Sequence, residues 1–150
     1  MKKVVVIGSG GAGKSTFSRQ LGEITDLPVI HLDRLFWSAG WTPTPKDEWA
    51  NVVRQELKRP EWIMDGNFGG TRVMRMQEAD TIIMLDLPRW LCVYRILKRN
   101  FLHKPGSRPD MADGCDERLD WEFLLWVWNY RKHSRIRALS EIEKFADKRI

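Results

Sequence analysis

The sequence predicts an α/β domain in which a parallel sheet of four to five strands is flanked by helices. Short apolar runs rich in β-branched residues alternate along the chain with segments of helical periodicity. A glycine-rich loop joins the first strand to the first helix. At 150 residues the chain can bury one substantial core but not two, so we expect a single domain over residues 1–150.

The glycine-rich loop has the spacing of a phosphate-binding loop (P-loop). It fills every fixed position of G-x-x-x-x-G-K-[ST] between an apolar strand and a helix. Glycine lets successive N–H groups turn toward phosphate oxygens, and the next helix adds the positive end of its dipole. The alternative, an ordinary glycine-rich turn, is disfavoured by the match on both flanks. We expect the phosphates of a nucleoside triphosphate to contact Gly8, Ser9, Gly10, Gly11, Ala12, Gly13, Lys14, Ser15 and Thr16.

Three side chains are candidates for the metal and phosphate chemistry. Lys14 is expected to reach the β- and γ-phosphates, and the Ser15 hydroxyl to bind Mg²⁺. Asp65 ends an apolar strand predicted at 61–68, where phosphate-loop enzymes keep the carboxylate that orients hydrated Mg²⁺. The alternative for Asp65 is an Asp-Gly turn without a metal. The predicted cofactors are ATP and Mg²⁺.

Composition excludes several classes of protein. Apolar residues make up 43% and charged residues 30% of the chain, as in soluble globular proteins. No apolar run approaches a bilayer span, and the N-terminus lacks a signal-peptide core, so we expect a cytoplasmic protein without membrane contact. Cys92 and Cys115 lack C-x-x-C spacing and are expected to be free thiols.

The net charge of +5 is concentrated in two basic clusters, at 89–108 and at 131–137. Such clusters neutralise either the phosphates of a bound nucleotide or a nucleic-acid backbone. Charge alone does not separate these two interpretations.

The first half of the chain supplies the predicted acceptor pocket. A short strand at 27–32 leads into Asp33 and Arg34, at the edge of a parallel sheet where ligands bind. Segment 36–45 is rich in turn formers and aromatic residues, and we interpret it as a loop or flap over the pocket. Its Trp37 and Trp41 are candidates for either core or ligand contact. A helix is predicted from Lys46 to before Pro60.

The second half supplies a predicted lid. A helix at 71–78, a strand at 81–85 and a helix from 89 to about 101 precede a polar segment with proline and glycine, about 103–118, which we interpret as a mobile lid. One long helix or two are predicted at 116–139. Their packing face is predicted from helical spacing as Trp121, Leu124, Leu125 and Trp128.

Taken together, these segments resemble a known family. The phrases HLDRLFW, WIMDGNF, LDLPRWLCVYRILKR and RPDM, with the phosphate loop, resemble the DNA topology modulation proteins (FlaR-like), a branch of the adenylate-kinase-like P-loop kinases. The resemblance covers essentially the whole chain. It implies an adenylate-kinase-like fold with a helical lid and a transferase activity.

The resemblance also implies roles for arginines. Nucleoside monophosphate kinases have Asp-x-Pro after the fourth strand, with arginines nine and thirteen residues beyond the aspartate. Here Asp86 is followed by Arg95 and Arg99 at these spacings, which implies that Arg95 flanks the adenine and Arg99 contacts ATP phosphates. The alternative is a solvated basic helix face. Weaker candidates at the lid or its flanks are Arg108, Arg131 and Arg135.

Two departures from the family pattern concern the acceptor and the sheet. Adenylate-type kinases follow the third-strand aspartate with Gly-Phe-Pro-Arg, whereas here the next arginine after the aspartate is Arg72, so a standard monophosphate clamp is not expected. Family members usually continue into a fifth strand, and this chain reaches Ile150 without one, so a shortened chain or a missing strand is expected. The predicted acceptor contacts are Asp33, Arg34, Trp37, Asn67 and Arg72.

The predicted function is transfer of the γ-phosphoryl group of Mg-ATP to a small-molecule or nucleotide acceptor. Asp33 is expected to bind an acceptor hydroxyl or to accept its proton. Two alternatives stay open: an ATP-dependent DNA-binding regulator, for which the sequence has no recognition motif, and an ATPase without an acceptor. The acceptor and the oligomeric state are not predicted. The catalytic candidates are Lys14, Asp33, Arg99, Arg131 and Arg135.

Overall fold

The fold is built on a four-stranded parallel sheet. A computed structural model describes residues 1–102, 109–116 and 118–150. In chain order the sheet strands are β1 (Lys3–Gly8), β2 (Val29–His31), β5 (Trp62–Asp65) and β6 (Thr81–Leu85), and their order across the sheet is β2-β5-β1-β6. All three neighbouring pairs are parallel. A separate antiparallel hairpin is formed by β3 (Trp37–Ser38) and β4 (Thr42–Pro43).

The elements follow the predicted order, but several bounds differ, and the third sheet strand, predicted at 61–68, is β5 at Trp62–Asp65. The second strand is shorter than predicted, because a one-turn helix begins at Leu32 and takes Asp33 into its first turn. The predicted flap contains the β3–β4 hairpin, and the predicted C-terminal helical stretch is divided in two at a 3₁₀ turn over Tyr130–Lys132. The helices are α1 (Lys14–Thr25), α2 (Leu32–Phe36), α3 (Lys46–Leu57), α4 (Gly69–Glu78), α5 (Arg89–Leu102), α6 (Trp121–Asn129) and α7 (Ser134–Ile142).

Both faces of the sheet are covered by helices. Along β1, alternate side chains point to opposite faces. Val5 and Ile7 pack with residues of α3, α4 and α7, whereas Val4 and Val6 pack on the other face, where side chains of α1 complete the cluster. A strand buried on both faces reads as a continuous apolar run, which is why β1 was predictable. No helix in the described ranges is long and apolar enough to cross a bilayer.

Helices α5 and α6 form a third cluster beside the phosphate loop. Its buried members are Ala12 of the loop, Cys92 and Ile96 of α5, and Leu124 and Val127 of α6. Asp120 caps α6 by accepting a hydrogen bond from the Phe123 N–H at 3.1 Å.

The predicted packing face of α6 is wrong. Only Leu124 of that stripe is buried, at 7% exposure, whereas Trp121 and Leu125 are 70% and 60% exposed and Trp128 is 43% exposed. The helix has nine residues and meets the rest of the fold along the narrower i, i+3 line of Leu124 and Val127. An apolar composition on nearly all sides of a helix hides which side is inward.

A matched pair of substitutions tests this correction. We expect Leu124→Ala to lower the free energy of unfolding by about 2–4 kcal/mol, because it removes buried methyl groups and leaves a cavity. Leu125→Ala, the same change one residue on, should alter it by less than about 0.5 kcal/mol. Urea unfolding monitored by tryptophan fluorescence measures both. Equal losses in the two variants would mean that the stripe predicted from the sequence packs inward after all.

The C-terminal residues reach the edge of the sheet next to β6. Lys148 Nζ donates to the carbonyl groups of Met76, Gln77 and Ala79 at the end of α4, at 2.6–2.8 Å. Arg149 forms a parallel bridge with Thr81, and its carbonyl accepts the Ile82 N–H at 2.9 Å. The position predicted for a fifth strand therefore holds a single bridge in this chain.

Candidate functional site

The phosphate loop connects β1 to α1 and has the backbone conformation of an anion nest. Gly8, Gly11 and Gly13 have φ values of 149°, 72° and 89°, which side-chain-bearing residues rarely adopt. A Cβ on Gly11 would lie 2.4 Å from the Cys92 carbonyl oxygen. At Gly13, by contrast, the nearest atom to an added Cβ would be Arg95 Nη1 at 3.7 Å, so the loop is open at the helix N-terminus. A loop that is closely packed at Gly11 and open at Gly13 fits a bound phosphate.

Lys14 lies across the loop. Its Nζ donates to the Ser9 carbonyl at 2.8 Å. Burial lowers the pKa of Lys14, and the nearby carboxylates of Asp33 and Asp65 oppose this shift. The amine is therefore within electrostatic reach of both acids that were predicted from separate strands. A triphosphate in the loop would supply the anionic partner that favours the charged amine.

One cavity of about 510 Å³ joins the loop to the carboxyl ends of the strands, a volume in the range of ligand sites. The predicted residues that line it are Gly10, Gly11, Gly13, Lys14, Ser15, Thr16, Asp33, Trp37, Asp65, Asn67 and Arg99. Further lining residues were not among the predicted contacts; they include Arg19, Phe68, Asp110, Arg118, Asp120, Phe123 and Trp126. The predicted residues Gly8, Ser9 and Ala12 are buried within the loop itself.

Asp65 is held by a histidine that sequence reasoning missed. His31 Nδ1 lies 3.0 Å from both carboxylate oxygens of Asp65. These residues end β2 and β5, whose register pairs them directly, and both side chains are largely buried. The sequence indicates that both residues lie near the ends of strands. It does not indicate that these two strands are neighbours, which the strand order shows.

The residues at this point fit a Mg²⁺ ion bound with a nucleotide. Ser15 and Asp65 line the same cavity and offer a hydroxyl and a carboxylate oxygen, the ligand types that Mg²⁺ prefers. Within the described ranges, no group of three or more His, Cys, Asp or Glu side chains is arranged to hold a metal. A Mg²⁺ that keeps several waters and takes most of its ligands from phosphates needs no such group.

Asn67 links the two central strands at the site. Its Nδ2 donates to the Gly8 carbonyl at 2.5 Å, and the Gly8 N–H donates to its Oδ1 at 3.2 Å. The residue predicted to contact the acceptor therefore also fixes the first residue of the phosphate loop, in addition to lining the cavity.

The predicted acceptor contact of Arg72 is corrected by the structure. Arg72 is 3% exposed, does not line the cavity, and donates through Nε to Glu141 of α7 at 2.5 Å. Because α4 begins at Gly69, positions 72 and 75 fall on its inward face at i, i+3 spacing. The sequence showed an arginine after the glycines but not which way the helix faces.

Arg75 is a second buried arginine of α4, and it holds the loop that follows β5. It is 0% exposed. Its guanidinium donates to the carbonyl groups of Gly66 at 2.9 Å, Asn67 at 2.5 Å and Phe68 at 3.3 Å. Burial lowers the pKa of Arg75 to about 9, so it is still a cation at neutral pH. The side chain therefore positions Asn67 and Phe68 at the cavity.

Two arginines of α5 lie near the phosphate loop. Arg99 lines the cavity. Arg95, four residues earlier, is exposed and its Nη1 lies beside Gly13. The spacing of these two residues places both on the side of α5 that faces the phosphate loop.

Arg131 and Arg135, predicted as catalytic candidates at the lid or its flanks, are not among the described residues that line the cavity. Arg135 Nε and Nη2 donate to Asp86 Oδ2 at 2.9 and 2.7 Å, and Arg131 Nη2 lies 3.7 Å from the same oxygen. The hydrogen bond from Arg135 lowers the pKa of Asp86. The sequence could not show that the turn after β6 faces α7. Arg34 donates to the Pro109 carbonyl at 3.3 Å and is likewise outside the cavity lining.

The β3–β4 hairpin contacts the segment at 109–116. The Gly40 N–H donates to the Gly114 carbonyl at 2.9 Å, and Trp41 Nε1 donates to the Asp116 carbonyl at 3.1 Å. The Cys115 thiol donates to the Ser38 carbonyl at 3.1 Å. Trp37 and Trp41 line the cavity beneath this contact. Much of the predicted lid, including Arg108, lies outside the described residues.

The strand order and the glycine-rich loop between β1 and α1 define a parallel α/β fold with a phosphate loop, as the sequence predicted. A gluconokinase from Sinorhizobium meliloti 1021 has this fold, with a TM-score of 0.51 and 15% identity over 97% of this chain and 94% of that one. A kinase-like protein from Chloroflexus aurantiacus j-10-fl gives a TM-score of 0.42 and 22% identity over 91% and 98% of the two chains, too low a score to support an argument. No family profile and no curated protein sequence matches the chain.

Proposed function

We propose that the protein transfers the γ-phosphoryl group of Mg-ATP to a hydroxyl group of a small-molecule or nucleotide acceptor. The observation that carries this proposal is a continuous cavity of about 510 Å³, which joins the phosphate loop to an aromatic wall and to Asp33 and Asp65. An ATPase needs the loop and a water molecule, whereas a kinase also needs room and contacts for an acceptor. The aromatic wall at Trp37 and Trp41 supports the kinase.

At the nucleotide end, the chain binds and orients the triphosphate. The loop N–H groups and the N-terminus of α1 face the phosphates. Lys14 exchanges its bond to the Ser9 carbonyl for the β- and γ-phosphate oxygens, where it offsets charge on the transferred group. Arg99 lines the same space. Arg95, whose Nη1 lies beside Gly13, is the residue that the resemblance assigns to the adenine.

At the metal position, Ser15 and Asp65 would hold Mg²⁺ directly or through its water shell. A Mg²⁺ ion held there would supply positive charge that offsets the negative charge of the phosphates. His31 keeps the Asp65 carboxylate turned to one orientation, because its Nδ1 contacts both oxygens. Asn67 bonds to Gly8 at the end of β1 and so holds this strand end beside β5, which ends at Asp65.

At the acceptor end, Asp33 positions the hydroxyl that reacts. The hydroxyl oxygen forms a bond to the γ-phosphorus, and the bond from that phosphorus to the β–γ bridging oxygen breaks. ADP leaves with the bridging oxygen, and the hydroxyl proton passes to the Asp33 carboxylate. Asp33 is suited to this because it lies in the cavity wall, and its carboxylate is close enough to Lys14 to oppose the lowering of that amine's pKa by burial.

The isosteric variant Asp33→Asn tests the acceptor role. We expect kcat for acceptor phosphorylation to fall by about 10²–10⁴-fold, since an amide cannot take the proton. The KM for ATP should stay within about twofold, and Asp47→Asn, an exposed acid in the first turn of α3, serves as the control. Coupled ADP-release kinetics measure both constants. An unchanged kcat in Asp33→Asn would remove Asp33 from the reaction.

The resemblance to DNA topology modulation proteins rests on residues that also fit a kinase. Direct DNA binding is not proposed. The basic side chains of Arg131 and Arg135, which were candidates for a nucleic-acid surface, are paired with Asp86. The phosphate loop, with its complete G-x-x-x-x-G-K-[ST] spacing, is the feature that the proposed function must use.

A further inference from the structure

We propose that the acceptor is a hydroxylated compound with a flat apolar face and without a phosphate or carboxylate group, such as an uncharged sugar, polyol or nucleoside. This inference rests on the proposed kinase function and narrows it. Three observations at the acceptor end of the cavity carry it: three described arginines near the predicted acceptor contacts are engaged in the fold, the wall contains several acids, and the aromatic rings pack against one another.

Among the described residues, three arginines near the predicted acceptor contacts are engaged in the fold. Arg72 pairs with Glu141, and both side chains are largely buried. Arg75 donates hydrogen bonds to the carbonyl groups of the loop after β5, and Arg34 donates to the Pro109 carbonyl. Turning Arg72 toward a ligand would leave the Glu141 carboxylate buried without its partner, which is strongly unfavourable.

The described wall of the cavity contains several acids. Asp33 and Asp65 lie at the carboxyl edge of the sheet, and Asp110 and Asp120 lie on the segments that approach it from the other side. Beyond the cations that belong to the phosphate loop, α1 and α5, the described wall contains one more, Arg118. An acceptor phosphate or carboxylate placed here would meet like charge in a site of reduced dielectric.

Arg118 is itself positioned over an aromatic ring. Its guanidinium carbon lies 5.3 Å from the centre of the Trp41 ring, within the range of a cation–π contact. Its position therefore helps to fix the indole that lines the cavity.

The aromatic wall is a packed cluster of rings. Trp37 packs edge-on against Phe36 and Trp41, with ring centres 4.8 and 5.5 Å apart. Phe36 in turn contacts Phe68 at 4.9 Å, and the indole N–H of Trp41 is held by the Asp116 carbonyl. Rings fixed in this way stack on the flat face of a sugar or a base, while carboxylates accept hydrogen bonds from its hydroxyl groups. Together these features select uncharged hydroxyl compounds.

The experiment compares acceptors in pairs that differ by one anionic group. Wild-type protein is incubated with Mg-ATP and a nucleoside or its 5′-monophosphate, an aldohexose or its 6-phosphate, and an aldohexose or the corresponding aldonic acid. The uncharged member of at least one pair should be phosphorylated with kcat/KM at least tenfold above that of its anionic partner. A preference for the phosphate or the carboxylate in the active pair would overturn the inference while leaving the kinase function intact.

Failure of the kinase function gives a different result. ADP release that no acceptor stimulates, with inorganic phosphate as its only product, would overturn both proposals together.

The variant Trp37→Ala tests the stacking surface separately. For the uncharged acceptor identified above, we expect KM to rise about tenfold, with the KM for ATP within twofold. Trp128→Ala on α6, whose ring lies under Arg89 and not in the cavity lining, is the control. An unchanged acceptor KM in Trp37→Ala would show that the acceptor does not stack there, and would overturn this part of the inference.

Discussion

Replacing Lys14 by alanine should lower kcat/KM for Mg-ATP by about a thousandfold, the loss that follows removal of a donor aimed at developing charge. In the structure the amine crosses the phosphate loop and lies within electrostatic reach of Asp33 and Asp65. It is thus the cation that links the nucleotide end of the cavity to its acceptor end. ADP release in a coupled assay measures the change, and Lys58→Ala, an exposed lysine that follows α3, is the control.

The loss of activity should occur without loss of folding. Because burial lowers the pKa of Lys14, the folded protein binds this proton less tightly than the unfolded chain does. The charged amine therefore costs folding free energy below the folded pKa, and this cost falls as pH rises through that pKa. A neutral side chain at position 14 is expected to keep Tm at or above the wild-type value near neutral pH. Retained turnover, or a large drop in Tm, would contradict the assigned role.

Replacing Arg75 by methionine should produce the largest loss of stability in this set, about 3–5 kcal/mol in the free energy of unfolding. The guanidinium is fully buried and donates to three consecutive carbonyl groups, those of Gly66, Asn67 and Phe68. Methionine fills similar space but leaves these acceptors without a donor, and each buried unsatisfied group costs about 1–3 kcal/mol.

Urea unfolding measures the effect of Arg75→Met. Arg54→Met is the matched control, since Arg54 is exposed on α3 and bonds only to Asn51 in the described contacts. We also expect weaker ATP binding by whatever folded fraction remains, because Asn67 joins this loop to Gly8. A loss below about 1 kcal/mol would show that the loop after β5 keeps its conformation without the guanidinium.

Local features of the fold were predictable from the sequence, since their signals are contiguous. The strand over 81–85 has its predicted bounds, and the phosphate loop lies between strand and helix as its spacing indicates. Asp33, Asp65 and Lys14 meet because parallel strands end at one edge of a sheet, a consequence of topology that does not require side-chain detail.

Features that depend on which elements are neighbours could not be predicted. His31 contacts Asp65 only because β2 lies next to β5. Arg72 turns to Glu141, and Arg135 to Asp86, because α7 packs near α4 and near the turn after β6. The inward side of α6 was missed for a related reason: a helix with tryptophan or leucine on several sides has no clear polar face, and its partner decides the orientation.

The most direct test of the proposed phosphoryl transfer monitors the γ-phosphorus of ATP during the reaction. Phosphorus NMR of Mg-ATP with the protein and the panel of uncharged hydroxyl compounds should show a new phosphomonoester signal for at least one compound. This signal should grow in equal amount with ADP, and it should be absent with the Lys14→Ala variant. A signal from inorganic phosphate alone would identify an ATPase, and ATP that stays intact with every compound would contradict a phosphotransferase at this site.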